Sequence, residues 1–126
     1  MAYKSFEQLE VWKRACRIAV RVYEVLSGCK DYGLKDQMTR AAVSIASNIA
    51  EGAERNSRAD FIRFIHIAKG SAAELRTQIY IAQKIGVISL EVSKELTDEL
   101  KTISSMLQSL ASSLKTQPLN HLKLKT

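Results

Sequence analysis

The sequence predicts an all-α protein that folds as an antiparallel, up-down-up-down four-helix bundle with a left-handed twist. Three observations predict this fold. Glycine and proline are scarce, at five and one of 126 residues, so the chain lacks the frequent turns of a small β-protein. Apolar residues recur every three or four positions through four long segments. Short connections separate these segments, which favours antiparallel packing of neighbouring helices.

The first predicted helix covers about residues 5–27. Ser5 and Gln8 have the spacing of a capping box. Gly28 follows the helix and is predicted to end it in the left-handed conformation. The apolar residues form a wide stripe of two rows, which are Leu9, Trp12, Cys16, Ala19, Tyr23 and Leu26, and Val11, Ala15, Ile18, Val22 and Val25.

The second predicted helix follows Gly33, runs to about Glu51 and stops at Gly52. Residues 41–50 within it carry no charge over almost three turns. A helix with little charge on any side is usually buried on more than one side. We therefore expect a homo-oligomer, although a bland surface of alanine and serine explains the same pattern. The expected interface residues are Val43, Ala46 and Ala50.

The third predicted helix begins at Ser57 and ends with Ile85, before Gly86. Within it, Gly70 is interpreted as a small residue at a helix contact. Its predicted core residues are Phe61, Phe64, Ile65, Ala68, Ala72, Leu75, Ile79, Ala82 and Ile85.

The fourth predicted helix begins at Ser89 and carries a strict heptad seam, whose residues are Leu96, Leu100, Ile103, Leu107, Leu110 and Leu114. The bundle is expected to occupy residues 1–115 as one domain, and residues 116–126 to form a flexible basic tail.

Basic residues are concentrated outside the fourth helix. The chain has a net charge of +6, whereas residues 89–115 are net acidic. Such a distribution is typical of a surface that follows a phosphate backbone. The alternative is a solvated, ion-paired helix face, because Glu10 and Glu24 flank the arginines of the first helix. The candidate nucleic-acid-binding residues are Lys13, Arg14, Arg17, Arg21, Arg55, Arg58 and Arg63.

Polar rows on the second and third helices suggest a structural network between them. Arg40 is expected to pair with Glu74 or Glu51 and to fix the helix register. The residues of this network are Gln37, Arg40, Ser44, Asn48, Glu51, Ser71 and Glu74, with Gln78 on the same row as Glu74.

The sequence shows no pattern typical of an enzyme. His66 lacks the Glu-x-x-His spacing of a bundle metal site, and no glycine-rich phosphate loop is present. Cys16 lies on the apolar face of the first helix, and nothing in the sequence near Cys29 activates its thiol. We expect no catalytic residue, metal, cofactor or small-molecule substrate. With neither a signal peptide nor an apolar run long enough to cross a membrane, a cytoplasmic protein without a membrane partner is expected.

Three stretches of the chain resemble signatures of one known family. They are FEQLEVWK at 6–13, GLKDQMTRAAVSIASNIAEG at 33–52 and DFIRFIHIAKGSAAEL at 60–75. Together they resemble the four-helix bundle proteins encoded in 23S rRNA intervening sequences, which are similar to the accessory variability protein of diversity-generating retroelements. The resemblance spans about residues 5–115.

This resemblance implies a homopentameric ring with a basic surface that binds RNA or DNA. In the retroelement branch it also implies a reverse transcriptase as a partner. No catalytic residue is carried over from the family. We therefore expect a non-enzymatic nucleic-acid-binding oligomer; the alternative is a protein-interaction scaffold with no nucleic-acid role.

Overall fold

The computed structural model describes residues 5–116, which form four α-helices preceded by a short 3₁₀ turn. No strand occurs within this range, so the predicted all-α class is confirmed. The predicted tail lies outside this range, except for Thr116. The elements are the 3₁₀ turn Phe6–Gln8, α1 (Glu10–Val25), α2 (Tyr32–Ala53), α3 (Arg58–Lys84) and α4 (Leu90–Thr116).

The helices pack as a bundle in which each contacts the next and α1 also contacts α4. Contacts along α2 and α3 show that these two helices are antiparallel. Ser44 meets Ser71, whereas Gly52, farther along α2, lies against Phe64, which is earlier in α3. The handedness of the bundle stays a prediction.

Side-chain caps fix the beginnings of three helices. Asp31 accepts a hydrogen bond from the Leu34 amide at 3.1 Å, and Ser57 accepts one from the Asp60 amide at 2.9 Å. Ser89 caps α4 in the same way, through the amide of Val92. Each cap satisfies an amide that has no partner within its own helix. The predicted starts at Ser57 and Ser89 are therefore confirmed.

The end of α3 is a Schellman motif built on Gly86. The Val87 amide donates to the carbonyl of Ala82 at 2.8 Å, and the Gly86 amide donates to that of Gln83 at 3.1 Å. Gly86 has a φ of 82°, which glycine adopts without a steric penalty. The predicted end of α3 before Gly86 is confirmed. Ile85 is 59% exposed rather than core, because it is the C-cap residue and not part of the packed helix.

The start of the first helical region differs from the prediction. Phe6–Gln8 forms a 3₁₀ turn, Leu9 is extended, and α1 begins only at Glu10. The Ser5 side chain makes no capping hydrogen bond, so the predicted capping box is wrong. The turn instead carries Phe6 back onto Trp12, with the two rings edge to face and their centroids 5.3 Å apart. This aromatic contact is one a continuous helix would not provide.

Three glycines also differ from their predicted roles. Gly28 does not adopt a positive φ, since Gly86 is the one residue that does so within residues 5–116. Gly52 does not stop α2, which continues to Ala53; it is buried where α2 meets α3. Gly70 makes no helix contact, because nothing lies within 4 Å of the place where its Cβ would be.

The core is built from aliphatic residues and many alanines, whose small size lets the helices approach closely. On α1 the row that contains Val11, Ala15, Ile18 and Val22 is buried. The neighbouring row is mixed: Ala19 and Leu26 are buried, whereas Tyr23 is 52% exposed. On α4 the predicted seam is confirmed as buried, except that Leu110 is partly exposed.

Candidate nucleic-acid interface

The predicted arginines of α1 share one face, and that face is turned towards α4. Arg14 donates through Nε and Nη2 to the two carboxylate oxygens of Glu99, both at 2.8 Å. Arg21 binds Glu95 in the same two-pronged way, at 2.7 and 3.0 Å. A guanidinium group held by two parallel hydrogen bonds has a fixed orientation. The two pairs therefore join α1 to α4.

The rest of this basic face is more exposed. Arg17 lies between the paired arginines in sequence and binds Glu10 at 3.0 Å within its own helix. Its side chain is 64% exposed, and Lys13 is also exposed. The alternative of an ion-paired helix face is therefore correct for part of this surface. The carboxylates that bind its arginines through two hydrogen bonds each are on α4.

An open cleft of about 510 Å³ lies between α1 and α4. Ile18 and Leu96 give it apolar lining, and Thr102 and six charged side chains line the remainder. The charged lining residues are Arg14, Arg17, Arg21, Glu95, Asp98 and Glu99. Since the lining mixes positive and negative groups, the cleft is not a purely cationic groove.

The ion pairs change the acidity of the carboxylates. The hydrogen bond from Arg14 lowers the pKa of Glu99, and the one from Arg21 lowers the pKa of Glu95; partial burial opposes both shifts without reversing them. The same contacts raise the pKa of the two arginines. All four groups are therefore charged at neutral pH, and their charges cancel locally.

The remaining candidate residues form a second group around the turn between α2 and α3, which we call the turn cluster: Arg55, Arg58 and Arg63. The guanidinium carbons of Arg55 and Arg63 lie 4.9 and 4.6 Å from the centroid of the Phe64 ring. Arg58 donates to the carbonyl of Leu114 near the end of α4, at 3.2 Å. The structure thus divides the seven predicted residues between the α1 face and the turn cluster.

The turn cluster also contains carboxylates, but these are only three or four residues from the arginines in sequence. Arg55 pairs with Glu51 at 3.0 Å, and Arg63 with Asp60 at 3.7 Å. Both pairs are solvent-exposed, with spacings of four and three residues. Such pairs are weak and are screened by salt, so these arginines remain accessible to a competing anion.

The predicted polar network is present in a smaller form between α2 and α3. The hydroxyls of Ser44 and Ser71 are 2.8 Å apart, and Asn48 donates to the Ser44 carbonyl and hydroxyl at 2.8 and 2.9 Å. Arg40 does not pair with Glu74 or Glu51 as expected; it binds Asp36 one turn earlier on its own helix.

The other members of the predicted polar rows lie along the same side of these helices. Gln37 is exposed. Gln78 is 6% exposed, and its amide donates to Glu74 at 3.5 Å. The Gln78 Oε1 has no hydrogen-bond partner within residues 5–116. The three-residue core of the network therefore contributes to the packing of α2 against α3, while the outer members do not join it.

An apolar groove of about 350 Å³ lies between α1 and α2. It contains the predicted interface residues Val43, Ala46 and Ala50 on α2. Val43 is 42% exposed, and it adjoins the other apolar residues of the groove. The groove is completed by residues of the 3₁₀ turn, α1 and α2, which are Phe6, Trp12, Cys16, Ala19 and Ser47.

Cys16 lines this groove as a packed side chain and not as a reactive thiol. Burial raises the pKa of its thiol, so the sulfur is protonated at neutral pH. Within residues 5–116, no group of three or more His, Cys, Asp or Glu residues could hold a metal ion. No helix in the same range is long and apolar enough to span a bilayer.

Comparisons with known proteins agree with this fold. The family model described as 23S rRNA-intervening sequence protein matches residues 7–109. The chain is similar to a protein of unknown function from the S23 ribosomal protein family of Bacteroides thetaiotaomicron, whose crystal structure is known. The TM-score is 0.76 at 28% identity, and the match covers 80% of this chain and 97% of that chain. No curated protein matches the sequence.

Proposed function

Because the chain belongs to the 23S rRNA-intervening sequence protein family, we propose that it is a non-enzymatic, homo-oligomeric bundle that binds RNA or DNA. Binding uses phosphate contacts from the basic surface, with little readout of base sequence. The proposed assembly is a pentamer that acts in the cytoplasm. A role as an accessory to a reverse transcriptase belongs to the same proposal.

The arrangement of the turn cluster is the observation that supports this function best. Stacking on Phe64 holds the guanidinium groups of Arg55 and Arg63 near one ring without using their N–H donors. Those donors have a planar, forked geometry that matches phosphate oxygens. Two such groups beside a single ring are close enough to contact neighbouring phosphates of one strand.

The proposal is tested by the salt dependence of binding. Fluorescence anisotropy would measure the affinity for a labelled RNA duplex and for the DNA duplex of the same sequence. The logarithm of the binding constant should fall linearly with the logarithm of salt concentration. Replacing two phosphate-binding arginines, in Arg55→Gln/Arg63→Gln, should reduce the slope by about 1.8, since each phosphate that is no longer neutralised lowers it by about 0.9.

A matched variant controls for loss of net charge. Lys30→Gln/Lys84→Gln removes two positive charges at the opposite end of α2 and α3 from the turn cluster. This control should lose less affinity than Arg55→Gln/Arg63→Gln does, and it should keep most of the salt dependence of the wild type. Affinity that ignores ionic strength, or equal losses in both double variants, would contradict phosphate binding at the turn cluster.

The apolar groove between α1 and α2 supports the homo-oligomeric part of the proposal. Its exposed Val43 and partly buried Trp12 offer apolar surface that a second copy of the chain can cover. A charged residue in this surface, as in Val43→Asp, should convert the oligomer into a monomer. Ile67→Asp, at an α3 residue 40% exposed, is the matched control and should leave the assembly intact. Multi-angle light scattering gives the masses, and a wild-type monomer at micromolar concentration would refute this part.

The alternative function is a protein-interaction scaffold. The local cancellation of charge by Glu95 and Glu99 on the α1 face favours it, because fewer free cations remain there for a polyanion. In that case the groove would bind a different protein, and nucleic-acid binding would be weak in low salt.

A further inference from the structure

We propose that Glu95 and Glu99 are built-in competitors for the α1 arginines, so that they determine which anions this face can bind. The inference rests on the proposed nucleic-acid binding and adds residues that the sequence did not point to. Both carboxylates lie on α4, whose net negative charge does not by itself indicate a role in binding a polyanion.

The geometry shows a direct conflict between carboxylate and phosphate. Arg14 and Arg21 each present Nε and one terminal nitrogen to a carboxylate, through a pair of hydrogen bonds of 2.7 to 3.0 Å. This forked edge is also the one with which arginine binds a phosphate in two-pronged fashion. A phosphate can therefore use that edge only after the carboxylate of Glu99 or Glu95 has left it.

The exchange is feasible because both pairs are reached by solvent. The side chains of Arg14 and Glu99 are 32% and 31% exposed, and those of Arg21 and Glu95 are 40% and 48% exposed. The cleft beside them is open, so a strand can approach without unfolding a helix. The Arg21–Glu95 pair is exposed and the Arg14–Glu99 pair is part-buried, so salt screens both pairs and a phosphate can displace the carboxylates.

A single small anion is a poor competitor for these arginines. Such an anion replaces one carboxylate charge with one charge of its own, so it gains no extra attraction. Glu95 and Glu99 are attached to α4 and are therefore present at a high effective concentration. A nucleic acid already held at exposed groups such as Lys13 and Arg17 also gains this advantage, because its next phosphates are tethered too. The carboxylates thus favour ligands with many closely spaced charges.

Neutralising the two carboxylates should strengthen nucleic-acid binding. Glu95→Gln/Glu99→Gln should bind the labelled duplex about three- to tenfold more tightly than the wild type, as expected when two ion pairs that solvent reaches no longer have to be broken. The salt slope should steepen by up to about 1.8, since two more phosphates are contacted. Glu74→Gln/Glu91→Gln changes the charge by the same amount at exposed residues that do not pair with Arg14 or Arg21, so it should give a smaller gain and little change in slope.

A double-mutant cycle separates competition from a general charge effect. In an Arg14→Gln/Arg21→Gln background the carboxylates have no guanidinium to release, so Glu95→Gln/Glu99→Gln should no longer increase the affinity. A gain of the same size in that background would overturn the inference, as would equal gains for the two glutamate double variants. If the quadruple variant fails to fold by circular dichroism, Glu95→Gln with and without Arg21→Gln gives the same comparison at one pair.

Outcomes for the two proposals are distinguishable. If the wild-type protein binds in a salt-dependent way but Glu95→Gln/Glu99→Gln gains nothing, the competitor role is refuted and the proposed function stands. If none of these proteins binds nucleic acid at low salt, the proposed function and this inference are both refuted.

Discussion

The surroundings of Gly52 and Gly70 predict opposite effects on stability when each is replaced by alanine. Gly52 and Gly70 both lie inside helices, so alanine has the same intrinsic advantage at either position. Their surroundings differ completely. A Cβ at Gly52 would lie 2.5 Å from the Cβ of Phe64 and 3.2 Å from Cδ1 of Phe61, whereas a Cβ at Gly70 would have no atom within 4 Å.

These distances set the sign and size of each effect. The Phe64 Cβ is attached directly to the backbone and cannot rotate away, so Gly52→Ala forces the two helices apart. Overpacking of this kind costs about 1–3 kcal/mol, and helix propensity returns up to about 1 kcal/mol. We expect Gly52→Ala to destabilise the fold by about 1–2 kcal/mol. Gly70→Ala changes only propensity and should stabilise it by about 0.5–1 kcal/mol.

Urea unfolding followed by circular dichroism at 222 nm measures both effects. The two variants should differ by about 2 kcal/mol with similar m-values, which corresponds to about 4 °C in Tm per kcal/mol. Protein concentration must be equal in all samples, because oligomer formation shifts apparent stability. A Gly52→Ala variant as stable as the wild type would refute the close approach of α2 and α3. A destabilised Gly70→Ala would show that this position is packed against another surface.

Three further substitutions or conditions test other parts of the structure. Gly86→Ala should destabilise the fold by about 1–2 kcal/mol in urea, because its φ of 82° strains any residue with a Cβ; an unchanged midpoint would contradict the Schellman turn. Ser71→Ala should lower stability by about 1 kcal/mol by removing the partner of Ser44, and an unchanged thermal midpoint would show that this bond contributes nothing. The hydrogen bonds from Arg21 and Arg14 lower the pKa of Glu95 and Glu99 in the folded state. The two ion pairs therefore stabilise the fold fully above the ordinary carboxyl pKa of 4.5. This stabilisation is lost as the pH falls from 4.5 through the lowered pKa values of the folded state. Thermal melts from pH 7 to pH 3 should show a steeper loss for the wild type than for Glu95→Gln/Glu99→Gln; parallel curves would contradict this linkage.

The features predicted correctly from sequence depend on residues close together in the chain. Ser57 and Ser89 cap helices through amides three residues away, and the apolar repeat of α4 needs only its own periodicity. Gly86 ends α3 through carbonyls four or fewer residues before it. Local geometry determines all of these, so pattern alone is sufficient.

Two of the wrong predictions depend on packing contacts that helical periodicity does not contain. Gly52 has the position of a helix stop, but it serves the approach of Phe64 from another helix, and no local pattern reveals this. The chain between Ser5 and Glu10 matches a capping box, yet packing of Phe6 on Trp12 favours a 3₁₀ turn instead. Tertiary contact overrides local preference in both cases.

The candidate site shows the same division. Helical spacing placed Arg14 and Arg21 on one face correctly, since both lie on a single helix. Their partners Glu99 and Glu95 are 85 and 74 residues away in sequence, so pairing them requires the register of α1 against α4. Periodicity along each helix does not contain that register.

Net charge is therefore a poor guide to the charge that a ligand meets. The positive charge of the chain, +6 in total, is unevenly available to a ligand. Arg14 and Arg21 on the α1 face are each held by an α4 carboxylate through two hydrogen bonds. Arg55 and Arg63 stack on one ring, and each pairs with a nearby carboxylate through one nitrogen. Each copy of the chain thus provides a small cluster of accessible cations at the turn between α2 and α3. One such cluster binds a strand weakly, but several clusters in one assembly act at high effective concentration. Disrupting the groove with Val43→Asp should therefore weaken nucleic-acid binding more than Ile67→Asp does, because both variants add one negative charge but only Val43→Asp disrupts assembly. Full affinity in a monomeric Val43→Asp protein would show that binding does not depend on assembly.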